Sequence, residues 1–305
     1  MDIASINDMI AASMRIATPV ALAALGGVFC QKAGIFNIGL EGMMLIGAFA
    51  AICGVEMTGG SVWFGLLLSV ISGVLFSLLF AMAVLRFKAN QIISGIGLNL
   101  LAVGTTSFLL RAVFHQAGSL RPAVMNKIQN LQIPFLNGVP VLGGIFAEHH
   151  VLTYIGIAMV IITSLILYKT PFGIYTCAIG ELPESVSTAG IKQNKVKLIA
   201  ILWSGALCGL AGSYLSVVSV SEFTENMVQG RGFTAFTALV FGNANPVITW
   251  AVSLLFGFAD ALGIRVELSN LGFPSSILKM FPYLLSVVAL GLSSFVREHR
   301  RNRKT

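Results

Sequence analysis

A handful of polar side chains stand inside long apolar runs, at spacings that could hold a solute or hold helices together. In Asn-Ile-Gly-Leu-Glu-Gly, Asn37 is placed to cap a helix beginning after it, and Glu41 falls about one turn in, where the helix dipole eases a negative charge. A carboxylate in hydrocarbon costs a few kcal/mol unless paired, so Glu41 has to face a bundle interior or a water-filled cavity. Capping, packing and gating all fit this pair. Gln91, Gly95 and Asn99 recur at i, i+4 and i+8 on one helix face. Amides so placed either hydrogen-bond between helices or read a sugar hydroxyl or a base edge without adding charge. Asn243 and Asn245 lie where an apolar piece too short to span is broken before Pro246, and they join Asn37, Glu41, Gln91 and Asn99 as candidates for a path or gate. Catalysis is not in prospect, because the apolar runs hold no nucleophile beside a base and no His or Lys at matching depth. The adjacent His149 and His150 read as a polar loop, and no metal site is expected.

The elements that must position these residues follow from composition. With 305 residues, 56% hydrophobic and 10% charged, the chain cannot hide its apolar surface in a water-soluble core. An all-α, polytopic transmembrane bundle is predicted, with about 8 to 9 spanning segments and a broken or re-entrant half-helix near 233–246. Spans fall at about 9–30, 38–57, 61–85, 91–114, 151–168, 198–220, 246–263 and 282–296. The first contains Arg15, whose side chain can snorkel to an interface. It opens with Asp2 and Asp8 rather than a basic segment, so it is expected to be retained. Gly205 and Gly209, followed by Gly212, are small residues suited to close helix packing. The widely spaced Cys30, Cys53, Cys177 and Cys208 read as small core hydrophobes.

A net charge of +7 could suggest nucleic acid, but the basic residues collect at the ends of apolar runs and read as topology signals instead. Of the 19 Lys and Arg, 12 go to the cytoplasm when the C-terminal Arg-Glu-His-Arg-Arg-Asn-Arg-Lys-Thr tail, Lys32, Arg86, Lys88 and the 169–197 insert are placed there. Residues 115–150 then form an extracytoplasmic loop. The segment with Glu222, Glu225, Asn226, Gln229 and Arg231 lies on that same outer side, as a solvated loop, an outer mouth or a meeting point for a solute-delivery protein.

The cytoplasmic insert is punctuated for a short helix. Pro183 suits the first helical position, Glu184 the first turn, and Gly190 a left-handed ending that Ile191 closes against Val186. Leu182, Val186 and Ala189 make one apolar stripe. A helix of about seven residues is marginal in water, so it packs on its own bundle or docks on a partner.

"AIGELPESVSTAGI" followed by "LWSGALCGLAGSYL" resembles the cytoplasmic coupling segment and next helix of ABC-importer permeases in the branched-chain amino acid, ribose and nucleoside group. "GIFNIGLEGMMLIGAF" is similar to the opening signature of the nucleoside members, and "GRGFTAFTALVFGNANP" is a third match. The resemblance implies one permease domain over residues 1–305, multi-pass in a bacterial cytoplasmic (inner) membrane with its C-terminus inside. Residues 169–197 would be its coupling loop, with Glu181, Pro183, Glu184, Val186, Ala189 and Gly190 facing a cytoplasmic ABC ATPase. The other implied partners are a second permease subunit, like or unlike this one, and an extracytoplasmic substrate-binding protein. ATP and Mg would belong to the ATPase, because this chain has no phosphate loop of the Gly-x4-Gly-Lys kind. A nucleoside is the solute the resemblance favours, a sugar or a heterocyclic vitamin the alternative. From the residues alone an ion-coupled carrier stays open, with Glu41 as its acid.

Overall fold

The computed structural model describes residues 3–126, 131–132 and 148–268, and nearly all of these are helical. In chain order the helices are α1 (Ile3–Lys32), α2 (Leu40–Met57), α3 (Val62–Ala81), α4 (Gln91–Phe114) and α5 (Val151–Lys169). They continue with α6 (Pro171–Glu181), α7 (Pro183–Thr188), α8 (Gln193–Ser213), α9 (Arg231–Phe241) and α10 (Pro246–Leu268). π-helical turns prolong α3 over Met82–Arg86 and α8 over Tyr214–Val220. Among the described residues seven helices are long and apolar enough to cross a membrane, matching the first seven expected spans, and α9 is the shorter apolar piece. The expected span at 282–296 and the basic C-terminal tail lie outside the described residues, as do Met1, Asp2 and most of the loop between 126 and 150.

Small residues set the central packing. A Cβ on Gly205 would lie 2.5 Å from the Gly73 carbonyl oxygen, and one on Gly47 would lie 2.6 Å from the Gly209 Cα. Here α8 touches α3 and α2 backbone to backbone, which only glycine permits. Ser69 faces Gly209 while Ser77 faces Gly205, so α3 and α8 run antiparallel. Cys30 Sγ reaches the Ala200 carbonyl at 3.7 Å, while Gly26 faces Ser204, so α1 opposes α8 as well. One end of the bundle therefore gathers the α1 and α3 C-termini with the start of α8 and the short helices α6 and α7. The opposite end is closed by two short strands, β1 (Ser119–Leu120) and β4 (Phe223–Thr224), paired antiparallel. Phe49 of α2 stacks edge-on against Phe223 at 5.1 Å and fixes that cover to the bundle. Strands β2 (Leu131–Gln132) and β3 (Glu148–His149) form a second small pair.

Two sequence expectations are corrected here. The insert begins with α6, a helix not foreseen, capped by Thr170 Oγ1 accepting from Gly173 N at 3.3 Å with Pro171 in the first turn. The stripe on α7 is a single contact: Val186 is buried, whereas Leu182 is 67% exposed and Ala189 is also exposed. A six-residue helix lying on its neighbours through one apolar side chain leaves the rest of its apolar face uncovered. The half-helix α9 ends at Phe241 and is broken where the sequence placed the break, with Asn243 and Ala244 in left-handed backbone at φ of 49° and 51°.

Candidate functional site

The first turn of α9 has backbone N–H groups with no partner inside the helix, and a buried carboxylate takes them. Glu41, 8% exposed, accepts from Gly230 N through Oε1 and from Gly232 N through Oε2, both at 2.6 Å. Both oxygens form charge-assisted bonds, so the carboxylate is satisfied by a helix N-terminus 189 residues along the chain. Gly232 makes this approach possible, since a Cβ there would lie 2.5 Å from the Glu41 Cα and 2.7 Å from its Oε2. Glu41 thus fastens the start of α9 to the start of α2.

The segment leading into α2 is irregular backbone inside the bundle, where every N–H and C=O needs a partner. Gln91 Oε1 accepts from Phe36 N at 2.7 Å, and Asn99 Oδ1 accepts from Gly42 N at 2.8 Å. Asn99 Nδ2 donates to the Ile38 carbonyl at 3.2 Å, and Gly95 lies against Gly39 between the two amides. The polar face of α4 is therefore engaged with residues 36–42. Asn37 is not the helix cap that its position suggested: the cap is Gly39, and Asn37 Oδ1 accepts from its N–H at 3.0 Å. From there Asn37 Nδ2 crosses to Ser204 Oγ on α8 at 3.1 Å.

Beside the fastened end of α9 lies a cavity of about 520 Å³, lined by Arg15, Tyr214, Ser219, Thr224, Gln229 and Arg231 together with apolar side chains. This falls in the range of small-molecule sites, about 300–1,000 Å³. Its walls are α1, the π-helical turn after α8, and the segment leading into α9. The π turn re-aims Tyr214–Val220 towards this space, as such turns commonly do at functional sites. The Tyr214 hydroxyl bonds Thr153 Oγ1 at 3.0 Å, so this side chain is fixed. Arg231 Nη1 donates to the carbonyls of Met227 at 3.3 Å and Val228 at 3.4 Å, and its charge lies within electrostatic reach of both Glu41 and Asp260.

Asn37, Glu41, Gln91, Asn99, Asn243 and Asn245 are not among the residues lining this cavity. Asn37, Glu41, Gln91 and Asn99 form the support around residues 36–42. Asn243 and Asn245 are at the far end of α9, where Asn245 Oδ1 accepts from Val247 N and Ile248 N at 3.1 and 3.3 Å and starts α10. Sequence reasoning passed over Arg15, Tyr214 and Ser219. The signal for Arg15 was there, because an arginine within an apolar span is by default a functional pointer.

At the end of the bundle that carries α6 and α7, Val186 packs with Ile179 and Val196, and Ile191 closes over them. Gly190 takes φ 76°, Ile191 N donates to the Val186 carbonyl at 3.3 Å, and Gln193 Nε2 reaches Pro183 O at 2.5 Å and Ser187 Oγ at 2.6 Å. Gly180, next to Glu181 at the end of α6, lies against Lys32 and Gly34 at the end of α1. Leu182, Ile174 and Tyr175 stay exposed, and so do Pro183 and Glu184. A push on α6 and α7 thus meets α1, the helix that carries Arg15 into the cavity wall.

Residues 9–290 match the family model described as branched-chain amino acid transport system / permease component. The chain is 37% identical over 299 residues to the guanosine ABC transporter permease protein NupQ of Bacillus subtilis (strain 168), covering 95% of this chain and 93% of that one. It is 34% identical over 301 residues to the nucleoside ABC transporter permease protein NupC of Lactococcus lactis subsp. cremoris (strain MG1363), covering 96% and 94%. The putative glucose ABC transporter permease protein TsgC13 of Haloferax volcanii is 28% identical over 92% of this chain and 89% of its own. No solved structure matches the chain.

Proposed function

The chain belongs to the family of branched-chain amino acid transport system permease components, and from that premise we propose that it forms the membrane path of an ABC importer for nucleosides. It is a multi-pass membrane protein and a transport subunit, not an enzyme. The observation that carries the solute reading is the cavity: about 520 Å³, lined by apolar side chains together with hydroxyl, amide and guanidinium groups. Such a lining suits a flat heterocycle joined to a hydroxylated sugar. The names of the relatives in Bacillus and Lactococcus support the same solute class.

In this reading the chain lies in a bacterial inner membrane with the end bearing α6 and α7 facing the cytoplasm, and an ABC ATPase closes on Glu181, Pro183, Glu184, Val186, Ala189 and Gly190. ATP and Mg are held by that ATPase, because this chain has no Gly-x4-Gly-Lys loop. Its stroke reaches α1 through the contact of Gly180 with Lys32 and Gly34. A second permease subunit completes the path, and an extracytoplasmic binding protein delivers solute over the β1–β4 cover. Asn37, Glu41, Gln91 and Asn99 keep the 36–42 turn and α9 in register beside the solute, and Asn243 and Asn245 shape the inner turn of α9. An ion-coupled carrier is disfavoured, since both oxygens of Glu41 are already engaged by backbone amides.

Uptake by the reconstituted complex, measured with labelled nucleosides, glucose and branched-chain amino acids, tests this reading. Nucleosides are expected to be carried and to compete with one another. Transport of glucose or amino acids with no nucleoside uptake would overturn it.

A further inference from the structure

Resting on the nucleoside reading, we infer that Arg231 is a specificity-determining residue that reads a pair of adjacent acceptors on a purine, the O6 and N7 edge of a 6-oxopurine nucleoside. Guanidinium offers donors only, in a rigid planar fork that matches two neighbouring acceptors. Through Nη1 the fork is anchored to the Met227 and Val228 carbonyls. Among the described residues its Nε and Nη2 hydrogens meet no acceptor, and Arg231 lines the cavity.

Charge alone does not account for this arginine. A cavity with Arg15 and Arg231 and no lining carboxylate would suit an anion, but Arg231 already stands in the field of Glu41 and Asp260. What stays unfilled is hydrogen-bonding capacity rather than charge, and an uncharged, acceptor-bearing solute fills it. On the other side of Arg231, the Glu41 clasp of Gly230 and Gly232 fixes the backbone from which the side chain projects. Adenine cannot answer in the same way, because its 6-amino group places a donor where the fork also donates. Inosine and adenosine differ in the base at this edge, so they isolate the interaction.

The test is the maximal uptake rate, at saturating solute, of inosine, adenosine and 7-deazainosine by the full reconstituted complex. Saturation removes discrimination by a delivering protein. The parent is expected to favour inosine over adenosine by roughly 5-fold or more, the lower end of what one bidentate pair gives. 7-Deazainosine, which keeps O6 but has carbon in place of N7, is expected to fall towards the adenosine rate. Arg231→Lys keeps the cation and loses the fork, so its inosine-to-adenosine ratio should approach one, mainly through loss of the inosine rate. The inference is overturned if 7-deazainosine moves as fast as inosine, or if Arg231→Lys keeps the parent's ratio. The 7-deazainosine arm uses the unaltered protein and so decides the matter even where the variant does not assemble. A parent that carries no nucleoside at all would sink the nucleoside reading itself, whereas a parent that carries all purine nucleosides equally would sink this inference alone.

Discussion

At the scale of single residues, Glu41 joins two helix starts that lie 189 residues apart in the chain. Replacing it with Ala would leave the half-buried Gly230 and the buried Gly232 amides without this acceptor, at roughly 1–3 kcal/mol for a fully buried unsatisfied group. Glu41→Ala is expected to lower the thermal midpoint of the detergent-solubilised protein and to cut uptake at least about tenfold. Glu41→Gln keeps one acceptor and should fall between Ala and the parent. An Ala variant with the parent's midpoint and uptake would contradict the clasp. Much of this was readable in the chain: a lone acid in apolar surroundings must be paired, and Glu41 is. Its partner was not readable, because backbone N–H groups at Gly230 and Gly232 leave no mark of polarity in a sequence. The face of Gln91, Gly95 and Asn99 was legible as a face, but its object, a stretch of backbone at 36–42, emerges only when α4 lies beside it. Arg15 was visible too, yet snorkelling and cavity lining draw on the same long side chain, and only the π turn at Tyr214–Val220 tells them apart.

Among the elements, the spans were legible because length and apolarity leave few alternatives at 20-residue scale, whereas short helices depend on neighbours. Thr170 followed by Pro171 is a readable start for α6, overshadowed by the apolar run before it. The α7 stripe failed for the opposite reason: periodicity identifies a face but not the surface that covers it. That leaves the Leu182 side chain exposed at this surface. Leu182→Asp should leave thermal stability within about 0.5 kcal/mol of the parent, as exposed substitutions usually do, while reducing copurification of the ATPase. Full copurification with this variant would contradict docking at α7. A separate expectation concerns α5, whose cap is His150: its Nδ1 accepts from Leu152 N at 3.3 Å, which requires the unprotonated nitrogen. Burial holds the His150 pKa below its ordinary value, so the folded state binds fewer protons than the unfolded chain. Its contribution is full above the unfolded pKa near ~6.5 and is lost as pH falls through the folded value. Asn caps without titrating, so His150→Asn should flatten the decline of thermal midpoint between about pH 7 and 5. An unchanged pH profile would remove His150 from that account.

For the whole molecule, the arrangement is a lever and a pocket connected through α1. One end of α1 meets α6, which leads into α7, and farther along the same helix Arg15 lines the cavity. Backbone contacts at Gly205 and Gly209 hold α8 to α3 and α2 without intervening side chains, so these helices move together rather than deforming separately. The account stands most directly on ATP-driven accumulation: vesicles containing this chain, its second permease subunit and the ATPase, supplied with the solute-binding protein, labelled nucleoside and ATP. It predicts nucleoside accumulation above the external concentration only when the ATPase and hydrolysable ATP are both present. Equal accumulation without the ATPase, or none with every component present, would contradict it.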